Sequence, residues 1–471
     1  MLQVEKTKIM EFEKVTKESS IYNNLPEFYR AKFESRPSVG SLIYTEVWLP
    51  IEWNGIFIGT GNSGMAGNID YNALAMYVRD GYAVANTDMG TSRGRDSGIN
   101  NSDVWKDFGW RATHIMTIIG KEIVWNFYGK KPRYSYFVGG STGGQQALSE
   151  AQRFPEDYDG IIAVAPANNR TMLHTYFLWN HRWLRKDGRG IFSSEEVKKI
   201  SDCAALFYQM KGDGEPGDNF VSFPSGKTED IEEFIRFLKT CTEFNKEQLD
   251  ALKRVYIGPL NPVTGKRIYN GMPIGSEAMR AGGILECQSD ESPHIYPFLW
   301  VFGNDYDSSM FDFNEDLDKI NSSLAEDLNA NDSNLSEFAD RNGKIIMYMG
   351  SADPCVPYPD ALNYYDRVIE KLGEYTMVSY FFRCFLMPGM SHNNEGNGTN
   401  EVWADAGGRR VLNVLRDWRE KGIAPECLKG VSFIGKQHNK EIRFIRDVYP
   451  CRSKKSVGDF VYPACDDIYL G

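Results

Sequence analysis

Apolar and polar positions divide the chain into a regular part, an irregular middle and a return to regularity. From residue 41, SLIYTEVWLP and NGIFIGTGNSG each carry β-branched and aromatic side chains between turn residues, with Trp48-Leu49-Pro50 closing the first run and Asn54-Gly55 turning into the second. Residues 72–80 read as a helix, residues 81–88 (GYAVANTD) as a buried strand, and residues 105–128 as a long amphipathic helix. Residues 134–138 alternate as a strand does, Ala147, Leu148 and Ala151 follow at helical spacing, and GIIAVAP at 160–166 is a short apolar strand. Strand and helix in this alternation predict a mostly parallel α/β sheet. The rhythm then stops. Residues 167–341 are irregular and rich in aromatics, and the pattern resumes at Lys344 with KIIMYMG, a helix over 359–372, a strand over 379–386 and a helix over 400–421. The expected organisation is an N-terminal arm at 1–40 laid on the core, a catalytic α/β domain made of 41–166 and 342–471, and an inserted lid domain at 167–341.

Length and charge narrow the function. At 471 residues with 42% hydrophobic and 13% aromatic content, the chain can build a large core. A net charge of −11 and a pI near 5.3 disfavour nucleic acid and anionic membranes as partners. The charged first twenty residues offer no apolar run for a signal or a membrane span, so a cytoplasmic location is expected. Eight cysteines, at 203, 241, 287, 355, 384, 427, 451 and 465, show no C-x-x-C spacing and read as free thiols rather than a zinc site. Whether Cys427, Cys451 and Cys465 pair is open at this level.

The candidate chemistry lies at Gly139-Gly140-Ser141-Thr142-Gly143, between the strand at 134–138 and the helix after it. This is a G-x-S-x-G pattern, in which a serine is held on a sharp strand-to-helix turn and its hydroxyl projects from the carboxyl edge of a sheet. A serine hydroxyl needs an imidazole to take its proton and a carboxylate to orient that imidazole. In α/β-hydrolases the acid and the histidine follow on loops after later strands. Ser351-Ala352-Asp353-Pro354 follows the strand at Lys344, and Pro388-Gly389-Met390-Ser391-His392 follows the strand at 379–386, so Ser141, Asp353 and His392 fill the three places in order. The other five histidines, at 114, 174, 181, 294 and 438, fall on a helix, in the lid or in the tail. The oxyanion donors would be the N–H of Thr142 and one from the loop at 61–64, Gly61 or Asn62 foremost, the competing reading of that loop being a plain tight turn. A phosphate-cradling loop is excluded, because G-x-x-x-x-G-K-[ST] is absent.

With these residues in hand, the chain resembles the tannase and feruloyl esterase family. EVWLPIEWNG, DYNALA, GYAVANTDMG, DFGWRATH, YSYFVGGSTGGQQALSEAQRFPEDYDGIIAVAPANN, GPLNPVTG, GKIIMYMGSADPCVPY and LMPGMSH stand in the family's order between about residues 44 and 450. The resemblance implies an α/β-hydrolase core with a large lid after its sixth strand, a serine triad, no cofactor, and hydrolysis of phenolic-acid esters such as feruloyl or hydroxycinnamoyl esters. Release of gallate, as by a tannase, is the alternative. Mono(hydroxyethyl) terephthalate hydrolases share the framework. A protein that only binds phenolic esters is the non-enzymatic alternative, and a monomer or homodimer is the default assembly. In the lid, Tyr176, Trp179, Trp183 and Phe298 could stack on a phenolic ring.

Two departures stand out. The family's cysteines before the serine and after the histidine, joined there by a disulfide, are Gly140 and Asn393 here, and a further one falls on Tyr29. The family's calcium loop corresponds to KGDGEPGDNFVSFP, which keeps Asp213 and Asp218 as weak candidates but loses the later carboxylates, so no metal is expected.

Overall fold

Alternate side chains along the buried strands face opposite ways, and this sorts them onto two faces of one sheet. Phe57, Ile161, Ala163, Ile345 and Met347 join one apolar layer, while Ile56, Ile58, Ile162 and Ile346 join the other. The computed structural model describes residues 6–16, 25–290, 294–434 and 441–452. Its main sheet contains β1 (Thr7–Val15), β2 (Phe28–Ser35), β3 (Ile43–Pro50), β4 (Ile56–Thr60), β5 (Ala83–Thr87), β6 (Tyr134–Gly140) and β7 (Gly160–Val164). After a small ribbon of β8 (Arg185–Lys186) and β9 (Arg189–Gly190), the main sheet is completed by β10 (Lys344–Gly350) and β11 (Phe382–Met387). The spatial order is β1-β2-β3-β5-β4-β6-β7-β10-β11. Pairing is antiparallel up to the β3–β5 step and parallel from β5 to β11. This is the α/β-hydrolase fold.

The helices Ala112–Tyr128, Thr142–Arg153 and Tyr358–Leu372 cover one face, and Tyr71–Val78 and Val411–Lys421 cover the other. Residues 165–343 leave and re-enter between two adjacent strands, since β7 pairs directly with β10 from Gly160↔Lys344 onward. The excursion has apolar clusters of its own. One, around Ile200, Phe234, Leu252 and Ile284, lies wholly within it, and a second joins Tyr176, Phe298 and Trp300 to Met89, Phe108 and Val356 of the sheet's loops.

Two expectations change. Residues 7–15 and 28–35 do not lie on the core as an arm; they are strands that extend the sheet through β3. Their charged outward positions are those of an edge, with β1 exposing most of its side chains. The helix expected over 400–421 is a strand, β12 (Glu401–Trp403), then a turn, then the helix Val411–Lys421, because Gly407 and Gly408 interrupt the helical run. β12 pairs with β13 (Leu428–Phe433), and β13 with β14 (Ile442–Val448), in a separate antiparallel sheet. The seven described cysteines are free, with Cys384 and Cys451 neighbours through the Cys451 N–H to Cys384 C=O bond of 2.8 Å. Cys465 and His438 lie outside the described residues. Among the described residues, no helix is long and apolar enough to cross a membrane.

Candidate active site

β6 runs into Ser141, and the helix Thr142–Arg153 begins at the next residue. Joining them so abruptly puts Ser141 at φ 59° and ψ −118°, a backbone conformation that costs an L-residue about 1–3 kcal/mol. Neighbours hold it there. The Ser141 N–H donates to the Val164 carbonyl (2.8 Å), and its own carbonyl accepts from Gln145 N–H and Ala167 N–H (both 3.1 Å). The glycines follow from contact between this turn and the loop after β4. A Cβ on Gly139 would meet the Gly143 carbonyl oxygen at 2.3 Å, and one on Gly61 would meet Gly143 Cα at 2.4 Å.

β10 and β11 are parallel neighbours whose ends, Gly350 and Met387, are paired, so the loops after them leave the same edge side by side. Asp353 and His392 meet there, with His392 Nδ1 and Asp353 Oδ2 2.8 Å apart. Asp353 is 1% exposed, and its Oδ1 accepts from the N–H groups of Cys355 (2.8 Å) and Val356 (2.9 Å). Those two bonds fix the carboxylate plane and leave Oδ2 for the imidazole. Burial opposes a charged His392, but the Asp353 carboxylate, with the Cys355 thiol beside it, outweighs burial and holds the imidazole well above its ordinary pKa. With Nδ1–H committed to Asp353, Nε2 is the nitrogen left for proton transfer.

The expected oxyanion donors fare differently. Thr142 is the first residue of its helix, where an N–H has no intrahelical acceptor. Gly61 and Asn62 are both spent: Gly61 N–H donates to the Val138 carbonyl (2.9 Å) and Asn62 N–H to Gln146 Oε1 (2.8 Å). Of the loop at 61–64, that leaves Ser63 and Gly64. The Thr142 hydroxyl donates to the Gly64 carbonyl (2.6 Å), which ties this loop to the helix start.

Of the four aromatic residues expected as stacking platforms, three are taken up by packing. Tyr176 and Phe298 are 0% and 1% exposed, and Trp179 is buried against Trp183 and Phe313. Tyr176 instead donates its hydroxyl to the Pro354 carbonyl (2.7 Å), bracing the Asp353 loop. Trp183 carries the Arg254 guanidinium 3.9 Å from its ring centroid, beside a surface cavity of about 430 Å³. His294, in the inserted segment, packs 4.7 Å from Phe177 and is held down to a pKa of about 4 by burial and by the charges of Arg170 and His392.

The calcium candidates do not fit a metal. Asp213 accepts from the N–H groups of Ser222 (2.6 Å) and Phe223 (3.0 Å), and Asp218 receives both forks of Arg446 at 2.7 Å. A guanidinium holds the carboxylate that a cation would need. His114 is a structural partner, as its helix position implies: Nδ1 lies 2.7 Å from Asp157 Oδ2 and its ring stacks on Phe154.

The family model for tannase and feruloyl esterase matches residues 33–294 and 298–454. A probable feruloyl esterase B-2 of Aspergillus flavus is 30% identical over 422 residues, 84% of this chain and 78% of that protein. Among solved structures, feruloyl esterase B from Aspergillus oryzae superposes with a TM-score of 0.81 at 23% identity, covering 95% of this chain and 93% of that one. The tannin acyl hydrolase from Aspergillus niger gives 0.76 at 20% identity, covering 97% and 91%. By the extent of the family match and the identity to its relatives, this chain belongs to the tannase and feruloyl esterase family.

Proposed function

We propose that the protein is a serine carboxylic-ester hydrolase acting on esters of phenolic acids, feruloyl and related hydroxycinnamoyl esters first, through an acyl-enzyme. The observation that carries this reading is the strained Ser141 turn on the same sheet edge as the buried His392–Asp353 pair. Ser141 Oγ attacks the ester carbonyl carbon while His392 Nε2 takes its proton. The tetrahedral oxyanion is met by the Thr142 N–H and one from Ser63 or Gly64. Collapse expels the alcohol, which leaves with the proton from His392, and a water activated by the same imidazole then cleaves the acyl-serine bond to free the acid and restore Ser141. Asp353 keeps the imidazole in the productive tautomer throughout.

Residues 167–341 act as a lid over this edge. Glycine at 140 and asparagine at 393 leave no thiols to cross-link the serine and histidine loops, in keeping with work in a reducing compartment. The relatives' names favour feruloyl over galloyl esters.

Purified protein and its Ser141→Ala variant, incubated with methyl ferulate, methyl p-coumarate and methyl gallate, test the reading by release of the free acids. Serine-dependent release of ferulate or coumarate with little gallate supports it, and gallate alone would make the protein a tannase. A Ser141→Ala variant that retains more than a few per cent of the rate would remove Ser141 as nucleophile. If no acid forms and a fluorophosphonate fails to label Ser141, the binding-protein alternative replaces the enzyme.

A further inference from the structure

Arg170 is the first residue of the helix Arg170–Trp183, where the chain leaves the sheet for the inserted segment. Its side chain turns back under the serine turn and is 4% exposed. Nη2 donates to Thr142 Oγ1 (2.9 Å), Nε to Gln145 Oε1 (2.8 Å) and Nη1 to the Tyr296 hydroxyl (3.4 Å), with Cζ 5.3 Å from the centroid of the Phe108 ring. Every one of these partners is neutral. Among the described residues no carboxylate lies within ion-pair distance of Arg170, whereas Arg30 pairs with Glu46, Arg111 with Asp107 and Arg446 with Asp218. The part-buried Arg182 and Arg383 also lack one, but they donate to backbone carbonyls rather than to side chains of a candidate site.

A buried charge without a counter-charge is costly, so its presence asks what the charge faces when the protein works. The nearby imidazoles add no positive charge: His174 and His294 are kept neutral, by burial first and then by Arg170 itself. Geometry points to the place of use. A guanidinium can only donate, so the Thr142 hydroxyl accepts from Arg170 and must turn its own hydrogen to the Gly64 carbonyl. One hydroxyl thereby ties together the two backbone walls proposed to form the oxyanion hole, and Arg170 fixes its direction.

We infer that Arg170 is a positioning residue for ester hydrolysis: it locks Thr142 against the Gly64 loop, and its unpaired charge is balanced only when negative charge develops on the substrate's carbonyl oxygen. The inference rests on Ser141 as nucleophile and on Thr142 as oxyanion donor. It predicts an effect on turnover rather than on substrate capture.

The test uses the full chain with methyl ferulate, a neutral ester. Arg170→Met should lower kcat on the order of 10- to 100-fold with KM changed less than threefold, and weaken a trifluoromethyl ketone analogue of the substrate by a similar factor. Arg170→Lys, which keeps the charge but not the fork, should fall between. Thr142→Val should show the same split in kcat and KM, Thr142→Ser should restore it, and Arg170→Met with Thr142→Val should cost less than the product of the two single losses. If Arg170→Met fails to fold, the Thr142 pair carries the test.

A kcat within threefold of wild type, with Ser141→Ala inactive, would overturn the inference and leave the nucleophile assignment standing. A rise in KM at constant kcat would also overturn it, making Arg170 a ground-state binding residue. An active Ser141→Ala would remove the reading on which the inference stands.

Discussion

At the scale of single residues, Ser141 stores strain at the position proposed to react. Its φ of 59° is one that glycine adopts freely and serine does not. Ser141→Gly should therefore raise stability by about 1 kcal/mol over Ser141→Ala, while both lose turnover; denaturant midpoints of the two variants measure the difference. His392 gives a second expectation. Its imidazole acts as a base only when neutral, and its pKa is raised above 6.5, so kcat/KM should climb with pH through an apparent value above 6.5 and then level off. The His392⁺–Asp353 attraction stabilises the fold fully below the unfolded histidine's pKa and is lost as pH rises through the folded one. Activity and this share of stability thus move in opposite directions across the same window. Pairing pH–rate data with unfolding midpoints of wild type and His392→Gln would show whether they do.

That Ser141, Asp353 and His392 lie at one sheet edge is legible in the sequence because each follows a recognisable strand, and a glycine or proline marks the loop that carries it. The commitment of the Gly61 and Asn62 N–H groups is tertiary in origin: nothing local in the sequence indicates that they donate to the Val138 carbonyl and to Gln146 on the helix after β6. Arg170 was invisible for the same reason, since its neutral surroundings come from residues as distant in sequence as Phe108 and Tyr296.

At the scale of elements, β10 and β11 were legible from short apolar runs, whereas β1 and β2 were not. An edge strand buries little on one side, and the charges of β1 conceal its alternation. Aromatic content identified the inserted segment as a packed unit but could not separate a packing ring from a substrate-facing one, and Tyr176, Trp179 and Phe298 proved to be packing. The loops after β6 and β11 supply a test of how closely these elements approach. A Cβ at Gly140 would have Val164 Cβ as its nearest neighbour at 3.5 Å, an ordinary contact, so a cysteine fits there. Gly140→Cys with Asn393→Cys should form a disulfide under oxidising conditions and add about 2–4 kcal/mol of stability. Thiol titration after oxidation reads the first effect and the unfolding midpoint the second; two thiols that stay free would mean the loops stand too far apart.

At the scale of the whole molecule, the inserted segment and the small antiparallel sheet are tied by Asp218 and Arg446. Because the side chains are only 10% and 23% exposed, Asp218→Asn should lower stability by about 1–2 kcal/mol. Millimolar calcium should leave the thermal midpoint of the wild type unmoved, a direct check on the carboxylate's commitment to arginine.

The direct pairing of β7 with β10 bears on how the molecule comes into being. When β7 leaves the ribosome, its β10-facing edge has no partner, and residues 165–343 must be made before one arrives. At typical synthesis rates that interval lasts roughly ten to forty seconds. Throughout it, the half of the sheet that carries Ser141 presents an open strand edge to the cell, while Asp353 and His392 do not yet exist. The apolar cluster confined to the insertion can close in that time without them. Biogenesis is thus a delayed closure, in which the catalyst is assembled last and the nascent chain depends on protection of one strand edge.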